Sequence, residues 1–416
     1  MQNIIINDPI FGFITVPEGI IQDVLAHPYV QRLKHIRQLG LSYLVYPGAV
    51  HTRFSHSLGA MHLMKEALDI IQTKGTTVYP SEINATMVAI LLHDIGHAPF
   101  SHVLEKSLIK DTTHEDISLL MMKQINEDLR KRNESMLFKY GPIDESIAIF
   151  QGNYLRPFFH QLISSQLDVD RLDYLSRDSF FCGVTEGNIS SSRLLKMIEI
   201  KDNKMFVGEK GIYSVEKFLL ARRLMFWQVY LHKTSVAAEQ MLVNIFHRAK
   251  QLAQHGEELF APPALHFFLH KDITKQNFYV GSEALQQYAL LDDNDILCAV
   301  KVWMQHRDKV LSTLSQAFIH RHLFKTELLS EPLNDEQKED LTNKYMLRLG
   351  IKREDASYFF AEHIISKNVY SDKTGDSIEI LFKDGRIKDI AEESDILHAC
   401  TLQDLPQKRY LFYYKI

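Results

Sequence analysis

From Ala85 to Leu92 the chain is apolar on almost every helical face, and it then runs directly into His93-Asp94 before Gly96 and Pro99 break it. A helix that is apolar all round has to be covered on all sides, so it predicts a buried central helix with other helices packed around it. The imidazole and carboxylate at its end would be costly to bury unpaired, and a divalent cation resolves that cost. With 45% hydrophobic residues in 416, the chain has ample material for such a core. At about 150 residues per domain, this length suggests two or three units.

Periodicity and punctuation fill in the rest. Ile4-Ile5-Ile6 and Phe11-Gly12-Phe13-Ile14 predict a short hairpin, followed by a helix over 17–38 and a turn at Tyr46-Pro47-Gly48. Leu58, Met61, Leu68 and Ile71 recur at helical spacing between Ser55 and Gln72, and further helical patterns cover 114–130, 144–152, 156–178 and 214–254. Phe206-Val207 and Ile212-Tyr213, flanking Gly208 and Gly211, predict a second hairpin. Residues 260–330 return to helix. Ile378 to Ile387, folded about Asp384-Gly385, predicts a third hairpin, and Arg409 to Tyr414 a last strand. The expectation is a mainly α fold with small β-hairpins and a C-terminal α+β subdomain. Its segments are 1–50 (hairpin and helix packed on the core), 51–240 (the core), 241–334 (a helical extension) and 335–416 (the subdomain).

Charge and cysteine usage narrow the function classes. A net charge of -5 argues against broad nucleic-acid binding. No stretch approaches the roughly 18 apolar residues of a membrane span, and the N-terminus lacks the pattern of a signal peptide. Cys182, Cys298 and Cys400 lie too far apart for a disulfide framework or a zinc knuckle, so a reducing cytoplasm is expected. Histidine is the anomaly. Of 20 in the chain, seven (His51, His56, His62, His93, His97, His102 and His114) fall within 64 residues. Imidazole is both a transition-metal ligand and a proton carrier near neutral pH. His97 follows His93 by one turn and would share its face if the helix continued. Tyr174 and Asp178 follow Asp170 by four and eight residues, which places all three near one helical face.

Three motifs carry a resemblance. They are His51-x-Arg53-Phe54-x-His56-Ser57-Leu58-Gly59, His93-Asp94-Ile95-Gly96-His97-x-Pro99-Phe100-Ser101-His102, and Asp168-x-Asp170-Arg171-x-Asp173-Tyr174-x-x-Arg177-Asp178. Their order resembles that of the HD-domain phosphohydrolases. More narrowly it is similar to the deoxynucleoside triphosphate triphosphohydrolases, both the bacterial dGTPase-like enzymes and the SAM-and-HD-domain proteins. Gln31-Arg32-Leu33, Gln38-Leu39-Gly40, Tyr230-x-His232-Lys233 and Leu323-Phe324-Lys325 extend the likeness over about 8–330.

The resemblance implies that His56, His93, Asp94 and Asp170 hold one divalent metal (Mn, Fe, Zn, Ni or Mg), leaving open positions for water and a phosphate oxygen. It implies catalytic roles for His97 and His114, oriented by Glu105 and Glu115, and a phosphate contact for His102. A second metal on His97, His102 and His114 is the rival arrangement. Arg53, Arg171, Arg222 and Lys233 would bind the triphosphate. Gln38 and Asp178 would hold the 3′-hydroxyl, and Tyr174 would pack under the deoxyribose. The implied reaction is hydrolysis of a deoxynucleoside triphosphate to deoxynucleoside and tripolyphosphate. The alternatives are a phosphomonoesterase or cyclic-dinucleotide phosphodiesterase on the same metal site, and a non-catalytic nucleotide sensor. The family also implies a homo-oligomer, dimer or tetramer, and in one branch an allosteric nucleotide. Ala26 stands where that branch has an activator-binding aspartate, so regulation by GTP is not carried over to this chain, while another allosteric nucleotide could still bind between subunits.

Overall fold

The computed structural model describes residues 2–100, 111–133, 143–365, 377–394 and 407–416. The first strand, β1 (Ile4–Asp8), pairs antiparallel with β2 (Gly12–Val16). Asp8 closes the turn: its Oδ1 accepts the N–H groups of Ile10 and Phe11 at 2.9 and 3.1 Å, and Gly12 supplies a left-handed φ of 75°. The single helix expected over 17–38 is three short pieces instead: α1 (Ile20–Leu25), a helical turn over Pro28–Gln31, and a 3-10 turn over Arg32–His35. Pro28 is the reason. It has no N–H to extend the first piece and a φ suited to the first position of a new one, which His27 caps by accepting the Tyr29 N–H at 3.2 Å.

Next come α2 (Arg53–Thr73) and α3 (Pro80–Leu92). Every side chain of α3 from Ala85 onward is buried, as its all-round apolarity requires. It packs against α2 and α1, while α4 (His114–Asn133) crosses near its C-terminal end. The helix expected over 156–178 is two, Phe158–Ile163 and α5 (Val169–Cys182). Asp168 separates them by capping α5: its carboxylate accepts the N–H groups of Arg171 and Ser165, both at 2.8 Å. Gly183 ends α5 with a left-handed φ of 68°.

The second hairpin lies a few residues earlier than expected. It is β3 (Ile198–Lys201) with β4 (Lys204–Gly208), turning on Asp202 and Asn203, which both adopt positive φ. Ile212-Tyr213 opens α6 (Ile212–Met225) rather than a strand. A π-helical turn, Phe226–Tyr230, interrupts the helix expected over 214–254 before α7 (Lys233–Gln254). The extension holds α8 (Glu283–Leu290), α9 (Asp293–Trp303) and α10 (Lys309–Ile319), then β5 (Lys325–Leu329) where helix was expected.

Beyond α11 (Asp335–Leu349) lie β6 (Phe360–Ile365), β7 (Glu379–Leu381), β8 (Ile387–Asp389) and β9 (Lys408–Tyr413). The Asp384-Gly385 hairpin forms as expected between β7 and β8. Strand β9 sits between β5 and β6, and β7 runs parallel to β4 through Val207 and Ile380. One hydrophobic core continues from Ile14 to Phe412. The molecule is thus mainly α, with three small sheets among the described residues. Two of those sheets reach across residue 335, so we propose the fourfold division as a map of segments that fold on one another. No helix among the described residues is long and apolar enough to cross a membrane.

Candidate metal centre

Three helix ends converge beneath the core. Thr52 and Ser55 close a capping box at the start of α2, which sets Arg53 and His56 in its first turns, facing inward and buried. At the other end of α3, His93 keeps helical angles, but the chain then turns, so His97 reaches the site from a loop and not from a continued helix. Gly96 makes that loop fit. A Cβ there would lie 2.3 Å from both the His114 carbonyl oxygen and the Ser118 nitrogen on α4. Asp170 stands in the first turn of α5.

The ligating atoms of His56, His93 and Asp170 all lie within 4.8 Å of one another. His56 Nε2 is 3.3 Å from His93 Nε2 and 3.1 Å from Asp170 Oδ1, and His93 Nε2 is 3.5 Å from that oxygen. Each ring's other nitrogen is already engaged. His93 Nδ1 donates to the Ile90 carbonyl at 2.7 Å, and His56 Nδ1 to Asp173 Oδ2 at 2.7 Å. Both Nε2 lone pairs therefore face the same point beside a carboxylate. Such a trio repels itself unless a cation or proton lies between, and two imidazoles with a carboxylate suit Mn, Fe, Zn, Ni or Mg. The fourth expected ligand stands at the edge of the group. Asp94 Oδ1 is 3.4 Å from His93 Nε2 and 3.3 Å from His97 Nε2, while its Oδ2 is paired with Arg53 and lies 3.7 Å from His56 Nε2.

The electrostatics fit this arrangement. Burial works against a charged His56, but Asp170 and Asp173 outweigh it and hold its pKa at about 10. Burial likewise opposes ionisation of Asp170, and its bonds to His56 and His93 still draw it below the usual carboxylate range. His97 is driven the other way: burial, then the charge of Arg53, hold it well below its ordinary value. Its ring stacks on His114, centroids 4.0 Å apart, and His114 Nε2 is 3.2 Å from Glu115 Oε1. His102 and Glu105 lie outside the described residues.

Of the other expected residues, Arg171 and Arg222 both feel the charge of Asp170. Arg171 pairs with Asp168, and Arg222 Nη1 donates to Gln166 Oε1 at 2.9 Å. The buried Nε atoms of both arginines, and Oε1 of Gln38, have no hydrogen-bond partner among the described residues. Tyr174 meets Tyr230 edge to face at 6.0 Å. Asp178 is more occupied than a bare substrate contact would be: His51 Nε2 lies 2.7 Å from one oxygen, and Tyr230 donates to the other at 2.8 Å. Lys233 is exposed at the first residue of α7.

Sequence reasoning left the supports without roles. Arg32, buried, donates to the carbonyls of Leu291, Ile95 and His97 at 2.8, 3.4 and 3.0 Å. Tyr288 on α8 donates to the Gly96 carbonyl at 2.8 Å, and Ser118 Oγ bridges Gly96 N–H and the His93 carbonyl. Asp173, Arg177 and Asp8 form a buried ionic group behind His56. Gly59 and Gly96 were the available signals, since glycine inside a helical pattern marks close approach.

Comparison with known proteins agrees with this geometry. The model of the HD domain matches residues 53–178, and that of the HD-associated region matches 189–259. An uncharacterised Bacillus subtilis protein, YwfO, is 32% identical over 408 residues, covering 95% of this chain and 89% of its own. A SAMHD1 homolog of Dictyostelium discoideum, a deoxynucleoside triphosphate triphosphohydrolase, is 31% identical over 273 residues, covering 62% of this chain and 52% of that one. A solved phosphohydrolase from Bacteroides thetaiotaomicron shares 50% identity over the full length of both chains, with a TM-score of 0.92.

Proposed function

This chain belongs to the HD-domain family of phosphohydrolases, and within that family we propose that it hydrolyses deoxynucleoside triphosphates to deoxynucleoside and tripolyphosphate. The observation that carries the reading is a set of unmet buried polar groups, two of them on arginines that feel the charge of Asp170. The Nε–H groups of Arg171 and Arg222 and the Gln38 carbonyl are buried without partners among the described residues. A buried donor or acceptor left unmade costs about 1–3 kcal/mol, so these groups are built for a ligand with acceptors for two guanidiniums and a donor for an amide oxygen. A triphosphate supplies the acceptors and a sugar hydroxyl supplies the donor. The SAMHD1 homolog, similar over about half its length, acts on such a molecule.

Each residue then has a task. His56, His93 and Asp170, with Asp94 at the edge, would hold a divalent cation, which supplies Lewis-acid stabilisation of charge on the phosphate. Arg53, Arg171 and Arg222 neutralise and orient the phosphate chain. Neutral His97, stacked on His114, offers a proton acceptor beside the metal group, and Glu115 orients His114. Tyr174 would pack under the deoxyribose and exclude a 2′-hydroxyl, with Gln38 and Asp178 binding the 3′-hydroxyl.

The test is product analysis. The four dNTPs and their ribonucleotide counterparts are incubated with the protein and Mn, Mg, Co or Ni, and products are separated by ion-exchange chromatography. Inorganic tripolyphosphate in equal amount to deoxynucleoside is the expected result. Orthophosphate in place of tripolyphosphate, or no product from any dNTP with any of the four metals, would each refute it.

A further inference from the structure

We propose that Asp8, Arg177 and Asp173 form a buried positioning relay that fixes the orientation of His56 and ties the N-terminal hairpin to the metal centre. The inference rests on the reading of His56 as a metal ligand. Asp173 Oδ2 accepts from His56 Nδ1 at 2.7 Å and from Arg177 Nε at 2.9 Å, and its Oδ1 accepts from Arg177 Nη2 at 2.9 Å. The far side of the same guanidinium reaches Asp8, with Nη1 at 2.8 Å from Oδ2 and Nη2 at 3.3 Å from Oδ1. Asp173 and Arg177 are 0% exposed and Asp8 is 8% exposed.

Four features make this a device for the ligand and not only a core ion pair. Asp173 fixes one nitrogen of His56 and leaves the other directed at His93 and Asp170. Asp170, Asp173 and Arg177 stand at i, i+3 and i+7 on α5, so one helical face carries a metal ligand, its orienting group and the next link. Helix α2 makes room for the relay with Gly59, where a Cβ would lie 1.9 Å from Asp173 Oδ1 and 2.2 Å from Arg177 Nη2. Asp8 Oδ1 also accepts the Ile10 and Phe11 N–H groups that close the β1–β2 turn, so the hairpin's shape and the ligand's support share one carboxylate.

The test uses the full-length protein and Mn2+ titration followed by calorimetry and electron paramagnetic resonance. Asp8→Asn keeps an acceptor for the turn and removes the charge facing Arg177. It should weaken Mn2+ binding about 10- to 100-fold, as should Asp173→Asn. A natively folded Asp8→Asn protein with wild-type affinity overturns the relay while leaving the metal centre standing. Wild-type protein that binds neither Mn2+ nor Zn2+ overturns both. Histidine 15N resonances of the Zn2+-loaded wild type give a measurement that needs no variant. His56 protonated at Nδ1 is expected, and His56 without that proton overturns the proposal.

Discussion

At the residue scale, His56 and His97 are buried imidazoles within 4 Å of one carboxylate, Asp94, yet their surroundings push them in opposite directions. His56 is raised from 6.5 to about 10 in the metal-free fold. A raised value adds stability in full below pH 6.5 and loses it as pH climbs through 10. A cation must displace that proton, so metal affinity runs the other way and should rise steadily between those limits. Calorimetry of Mn2+ or Zn2+ binding across pH, beside urea unfolding of the metal-free protein, checks both slopes; a pH-independent affinity contradicts the assignment of His56. For His97, replacement by Gln should leave metal affinity intact and lower kcat about 10²- to 10⁴-fold. At Tyr174, the ratio of activity on dGTP to that on GTP should fall in Tyr174→Ala, and an unchanged ratio removes Tyr174 from sugar selection.

At the scale of elements, two glycines set how closely helices approach the site. Gly59 lets α2 meet α5 across the Asp173–Arg177 pair, and Gly96 lets the loop after α3 lie on the start of α4. Gly96→Ala would press a methyl group into backbone atoms that cannot step aside. A loss of about 1–3 kcal/mol in urea titration is the least expected, with His97 displaced and activity lost beyond what stability explains. Tyr288 and Arg32 hold the same loop from the other side through its carbonyls. Tyr288→Phe removes one hydrogen bond, worth about 1 kcal/mol. Activity should fall with metal affinity unchanged, since this bond goes to the Gly96 carbonyl of the loop that carries His97.

At the scale of the molecule, the ends of the chain are stitched into its middle. Strand β9 lies between β5 and β6, Phe412 is fully buried, and Tyr345 donates to the Tyr414 carbonyl at 2.6 Å. Deleting 407–416 leaves two strands without the one between them. Limited proteolysis should then release fragments from 325–365 that the intact chain protects. We propose a homo-oligomer, dimer or tetramer, in solution. Light scattering at micromolar concentration tests it, and a strict monomer would end that proposal.

Much of this was legible in the residues because it depends on near neighbours. The apolarity of Ala85 to Leu92 made α3 a buried helix, Asp384-Gly385 made a hairpin, and the order of the three motifs brought out His56, His93 and Asp170. The boundaries that depart from periodicity each have a local cause: Pro28 breaks one helix, Asp168 caps another, and Asp202-Asn203 takes the turn. Other features depended on residues far apart in the chain. Arg53 draws one oxygen of Asp94 away from the trio, Asp178 is shared between His51 and Tyr230, and β9 inserts between strands 43 to 88 residues earlier by register. Asp8 meets Arg177 across 169 residues of chain. Periodicity and capping report only on groups within a few turns of one another. Contacts across such separations follow from how the helices pack, so the chain by itself determined its buried central helix and the candidate metal ligands, and tertiary structure decided how those residues are aimed and supported.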